Sequence, residues 1–179
     1  MSLQRITFSG ENLDPVEIAL YQKDLEQSLR NYYSNRSQGF ELRFDHYSIM
    51  EIASELELRL QEVDRSGIFS LLAAIEAAFR VDYLQRVYAR KKDQFSRACR
   101  SLYNQKGTRA SLEDDILGLW LSYSNVAPRV IADLRGAFKF RHWIAHGRYW
   151  TPKFGRRYDF DGVYILAEAV FNNFPMSGK

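Results

Sequence analysis

The sequence predicts an all-α fold, a bundle of about five or six helices in a single domain spanning residues 1–179. Three observations lead there. All four prolines, Pro15, Pro128, Pro152 and Pro175, fall where helices begin or stop, which leaves long segments uninterrupted. In the longest of these segments apolar residues recur at spacings of three and four. No convincing pair of strands appears anywhere.

A first helix begins after Asp14-Pro15, with Asp as N-cap and Pro at the first helical position, and runs to the polar break SNRSQG. Its polar composition marks an outer helix. The stretch Gly39 to Asp45, GFELRFD, alternates apolar and polar and reads as a short extended piece before Ser48 caps a second helix, IMEIASELELRLQEVD. From Ser66 a new helical region runs to Gly107, with Ile68, Leu72, Ile75, Phe79, Tyr83 and Val87 forming one buried stripe. This is the expected central helix. Ser111 and Asp114 have capping-box spacing and open a helix through ILGLWLSYS. Pro128 opens the next, RVIADLRGAFKFRHWIAH, and Gly147 ends it, because glycine accepts the left-handed conformation of a helix C-cap. After an aromatic, basic loop comes a last helix with Val163, Leu166, Val170 and Phe174 on one face. Gly118 and Gly136 lie inside helices, where close helix–helix approach is the expected reason.

Composition narrows the function classes. A chain of 179 residues with 46% hydrophobic content can fill one core, and 15% aromatic residues argue against disorder. Its single cysteine, Cys99, excludes an intrachain disulfide, a zinc knuckle and a paired-cysteine redox motif. The sequence shows neither the apolar core of a signal peptide nor a membrane span, so a cytoplasmic location is expected, with no membrane partner. The net charge is only +3, but Arg129 to Arg157 carries eight Lys or Arg residues against one acid, Asp133. That asymmetry points to an anionic partner.

Arg141 and His146 stand five apart near the end of one helix, about 7.5 Å apart along its axis and about 140° around it. A long arginine side chain can span that gap. An imidazole beside a permanent guanidinium suits phosphodiester cleavage, in which a 2′-hydroxyl loses a proton while negative charge builds on phosphorus. Acid–base work is worth about 10²–10⁴ in rate, and a preorganised donor to a developing oxyanion about 10²–10³. No metal or other cofactor is required. Two other readings use the same residues. Cations near a helix C-terminus favour the macrodipole by about 0.3–1 kcal/mol each. His142 and His146 also have the four-residue spacing of a zinc-binding pair, although Trp143 stands where a metalloprotease needs its glutamate and the remaining ligands would have to be carboxylates.

The string Arg141-His142-Trp143-Ile144-Ala145-His146-Gly147 resembles the R-x(4–6)-H signature of the HEPN superfamily, in which a polar residue usually follows the Arg and a small one often precedes the His. Upstream, SLLAAIEAAFRVDYL is similar to the core helix of these domains. The resemblance covers Ser66 to the last helix and leaves residues 1–45 unassigned. It implies an all-α bundle and a metal-independent endoribonuclease cleaving single-stranded RNA to 2′,3′-cyclic phosphate ends in a cleft between two protomers. The family occurs in ribonuclease toxins and antiviral defence, so a homodimer and an antitoxin or other protein partner are expected. A non-catalytic module that binds RNA, a nucleotide or a protein is the alternative. The chain departs from those toxins that carry a tyrosine two residues after the histidine: Arg148 takes that place and Tyr149 follows.

Supporting residues follow from charge and position. Glu76 interrupts the apolar stretch AAIEAAF and needs a partner if buried. Arg80, four residues on, is one; Arg141 or the imidazole, oriented by Glu76, is another. Asp82 has a similar supporting role available from a different side of the helix, and His142 adjoins the pair. Arg148, Tyr149, Lys153, Arg156 and Arg157 combine phosphate-binding charge with interleaved stacking surfaces and form the expected RNA-binding loop.

Overall fold

A computed structural model of the chain describes residues 5–177. Among these, seven α-helices run in the order α1 Pro15–Tyr32, α2 Phe40–Phe44, α3 Ile49–Tyr88, α4 Gln94–Lys106, α5 Leu117–Tyr123, α6 Pro128–Ala145 and α7 Phe160–Asn173, with no strand. The all-α bundle is thus the architecture, with α3 at its centre against α1, α4, α6 and α7. Among the described residues no helix is long and apolar enough to cross a membrane.

The ends of α1 and α6 follow local chemistry that the sequence displays. Asp14 accepts from the Val16 amide at 2.7 Å and Pro15 occupies the first turn, which sets the start of α1. At the far end of α6 the Gly147 amide donates to the Ile144 carbonyl and the Arg148 amide to the Trp143 carbonyl. With Gly147 at φ +74°, this is a Schellman ending that satisfies two otherwise orphaned carbonyls.

Three expectations are corrected. The stretch Gly39 to Asp45 is not extended: Phe40–Phe44 is one short helix, its two phenylalanines with rings 5.0 Å apart, and Phe44 packs on Tyr33 and Tyr47. An alternation this short also satisfies the i, i+4 spacing of a helix, and no neighbouring strand competes. The two helices expected on either side of Ser66 are a single α3 of 40 residues, about 60 Å long. Its start is the expected Ser48, in a reciprocal capping box with Glu51. The helical region expected to run on to Gly107 breaks instead at Ala89–Asp93, where Arg90 turns to φ +50° and Asp93 caps α4 through the Ser96 amide.

Gly67 explains how α3 continues through its middle. A Cβ there would collide with Gln22 of α1 and lie 2.7 Å from the Phe160 ring of α7. Gly67→Ala is therefore expected to destabilise by about 1–3 kcal/mol through overpacking, despite the better helix propensity of alanine. Denaturant titration checks this, and an increase in stability would refute the close approach. The inner glycines expected to serve helix contacts behave differently. Gly136 admits the Tyr158 hydroxyl, from a loop rather than a helix, and a Cβ at Gly118 would meet nothing within 4 Å.

The core centres on Trp120 and Phe79, both fully buried, with Phe95 and Phe174 edge-on or tilted around them. Cys99 is buried beside this cluster, and burial pushes its thiol up to about 12. A thiol-reactive disulfide reagent at pH 8 is expected to leave the native protein unmodified and to label it once unfolded; rapid native labelling would show that α4 opens.

Candidate functional site

The end of α6 carries Arg141 and His142, with His146 at the C-cap, and two different surfaces receive them. Arg141 turns toward α3. Its guanidinium meets Glu76 at 2.8 Å and lies 5.1 Å from the centre of the Phe69 ring. Glu76 is shared, since its other oxygen accepts from Arg80 at 2.7 Å, and Arg80 also donates to the Ala110 carbonyl. Both partners anticipated for this carboxylate are thus engaged at once. The charge at Glu76 is mostly shielded from solvent, so these two arginines compensate its desolvation. Nε of Arg141 is buried without a hydrogen-bond partner.

His146 is the C-cap of α6 and is exposed. Its ring centre lies 4.2 Å from that of His142, which in turn lies 6.0 Å from Trp150. Among the described residues no hydrogen bond or ring contact joins Arg141 to His146. Glu76 of α3 offers Arg141 a charge-assisted partner, and this fixes its direction. His142 and His146 are brought together, but no group of three or more His, Cys, Asp or Glu residues is placed to hold a metal ion among the described residues.

Asp82 lies elsewhere. It is 1% exposed, bonded to Arg86 at 2.8 Å and to the Ser177 amide at 2.6 Å, so its carboxylate ties the C-terminal tail to α3.

The loop after α6 is held from beneath by aromatics. The Trp143 indole donates to the Trp150 carbonyl at 2.8 Å, and Phe140 stacks on Tyr158 with Phe154 edge-on to both. Tyr149 stays 82% exposed. Arg148 adopts φ +59° and pairs with Glu62 at 2.8 Å, while Arg156 pairs with Asp133 at 3.0 Å and lies over Tyr158. Exposed pairs of this kind are worth about 0–1 kcal/mol, so both arginines can exchange their partners for phosphate at little cost. Lys153 and Arg157 are exposed and make no ion pair among the described residues.

Sequence reading missed Glu113. It sits in a π turn, Leu112–Ile116, that precedes α5, and faces α6 across a cleft of about 420 Å³ lined also by Lys139, His142, Trp150, Lys153 and Phe154. The available signal was the acidic run Glu113-Asp114-Asp115, which looks like ordinary charge at a helix start. A larger cavity, about 670 Å³, lies at the opposite end of α6 around Arg86, Phe95, Tyr123 and Val130, away from Arg141 and His146.

No family model, no curated protein and no solved structure matches this chain.

Proposed function

We propose that the protein is a HEPN-like, metal-independent endoribonuclease that cleaves single-stranded RNA, acting as a homodimer. The observation that carries this reading is the pairing of a buried-side anchor with an exposed imidazole on one helix end. Glu76 and Phe69 fix the Arg141 guanidinium, and His146 stands free at the C-cap beside a basic loop. In the proposed reaction His146 moves the proton and Arg141 stabilises the charge developing on phosphorus. Arg141 contacts Glu76 while His146 contacts His142, and in the proposed dimer the arginine of one protomer acts with the histidine of the other. Lys153, Arg157 and Tyr149, with Arg148 and Arg156 released from their surface pairs, hold the RNA backbone and a base. A place in a toxin–antitoxin or antiviral-defence system, with an antitoxin or other protein partner, belongs to the same proposal.

The test is incubation of purified protein with end-labelled single-stranded RNA in excess EDTA. Cleavage that leaves 2′,3′-cyclic phosphate ends is expected. Silence of the dimer toward RNA that it binds would overturn the enzymatic reading.

A second reading is favoured by the engagement of Arg141 with Glu76: a non-catalytic HEPN-like module that binds RNA, a nucleotide or a protein partner. It predicts RNA retention that depends on the basic loop, with no cleavage. Replacing Lys153 and Arg157 together by alanine is expected to weaken RNA binding and to reduce its salt dependence by about two phosphate contacts, in either reading. Filter binding across a salt series measures this, and an unchanged slope would remove these residues from the interface.

A further inference from the structure

Glu113 is an acid in an unusual position. The π turn that carries it is closed by the Ile116 amide donating to the Ser111 carbonyl at 3.0 Å, which widens the helix by one residue at this point. Arg135 of α6 fixes the turn by donating to the Glu113 backbone carbonyl at 3.1 Å. The Glu113 carboxylate itself is partly buried and has neither a hydrogen bond nor an ion pair among the described residues. Burial, together with the neighbouring Asp114, raises its carboxyl above the usual glutamate value, with Lys139, His142 and Arg135 acting in the opposite direction. The carboxylate oxygens are not fully buried, so they are free to accept donors from water or from a ligand in the cleft.

The surroundings limit what that ligand is. Lys139 and Lys153 line the same cleft, exposed and unpaired, so a cationic ligand such as an arginine-bearing peptide is repelled, while an anionic ligand is attracted. Trp150, Phe154 and the His142 ring give the cleft flat, apolar faces. A planar ligand, negatively charged overall and able to present two donors to a carboxylate, fits these surroundings.

Among the four RNA bases only guanine meets the last condition. Its N1–H and N2 amino group are adjacent and parallel, matching the two carboxylate oxygens, and the neighbouring O6 accepts from an ammonium. Adenine and cytosine each set a ring acceptor beside their single amino donor, and uracil flanks its N3–H with two carbonyls. We propose that the cleft between the π turn and the last turns of α6 is a guanine subsite, with Glu113 reading N1–H and N2, Lys139 reading O6, and Trp150 stacking on the base. Lys153 contacts the phosphate. This deepens the proposed RNA reading and rests on it: the subsite adjoins His142, whose ring touches His146, so a guanosine held here flanks the scissile bond.

The experiment is an NMR titration of the ¹⁵N-labelled full chain with GMP, IMP, AMP, CMP and UMP, following the Trp150 indole. All five carry the same phosphate, so its contribution cancels. GMP is expected to bind at least about tenfold tighter than AMP, CMP and UMP, and IMP, which lacks only the N2 amino group, to lose about tenfold relative to GMP. Glu113→Gln is expected to erase the preference for GMP and to leave the affinity common to all nucleotides. Equal affinities across the series, or a GMP preference unchanged in Glu113→Gln, would overturn the proposal. If the variant does not fold, the comparison of GMP with IMP on the unaltered chain decides alone. Guanine preference without RNA cleavage would keep the subsite and end the ribonuclease reading, whereas cleavage without it would do the reverse.

Discussion

In the proposed ribonuclease, Arg141→Ala is expected to lower the single-turnover rate of RNA cleavage by about 10²–10³, the usual loss for one preorganised donor to a developing oxyanion. His146→Ala is expected to lower it by about 10²–10⁴, the range for a general acid or base. Both should leave the fold intact, because His146 is exposed at a helix end and Arg141 is partly open to solvent. Arg141→Ala does leave Glu76, but the remaining bond from Arg80 keeps that carboxylate compensated. Glu76→Gln is the informative third variant. It removes the charge that aims Arg141 without removing Arg141 itself, so it should reduce the rate less than Arg141→Ala. Rates for the three variants, measured beside circular dichroism spectra, check the ordering. A Glu76→Gln protein slower than Arg141→Ala would mean that Glu76, and not the arginine it holds, is the more important group.

Asp82→Ala is expected to give the largest loss of stability among single changes at charged positions, about 3–5 kcal/mol. The Arg86 side chain is only 10% exposed and spans from Asp82 to the Pro175 carbonyl, stacked over Phe95 and Trp120. Without Asp82 its charge stays buried and uncompensated, and the Ser177 amide loses its acceptor. For a chain of this size the loss corresponds to a fall in Tm of roughly 6–20 °C. The double variant Asp82→Ala with Arg86→Met should recover a substantial part, since replacing both members of a buried pair costs far less than removing one. Thermal unfolding of the two variants measures both effects. Equal loss in single and double variants would show that the tail contacts, rather than the uncompensated charge, dominate.

Sequence makes local chemistry legible and long-range geometry much less so. The caps at Asp14, Ser48 and Gly147 are visible because each depends on residues within a few positions of itself. The continuity of α3 is hidden because Asp64, Ser66 and Gly67 look like a helix boundary, and only the packing of Gln22 and Phe160 on Gly67 shows why a glycine belongs there. The break after Tyr88 is hidden for the opposite reason: it contains no proline or glycine, and the Asp93 cap stands among lysines in a run that looks helical throughout. At the site, the need of Glu76 for a partner is legible from its apolar neighbours, but its simultaneous use by Arg80 and Arg141 depends on how α3 and α6 cross. Asp82 differs from Glu76 in sequence context only slightly, yet it faces the C-terminal tail. The proposed role of Glu113 is not legible, because its position in one cleft with His142 is set by a π turn that the sequence does not announce.

The claim most open to direct test is that Arg141 and His146 act together on one phosphodiester while residing on different protomers. Arg141→Ala and His146→Ala chains, each strongly impaired alone, can be co-expressed with different tags and the mixed dimer isolated by purifying through both. The account predicts that this mixed dimer regains metal-independent cleavage, because one protomer still contributes an arginine and the other a histidine to a shared cleft. A mixed dimer as impaired as its parents, beside a wild-type protein that cleaves, would contradict it.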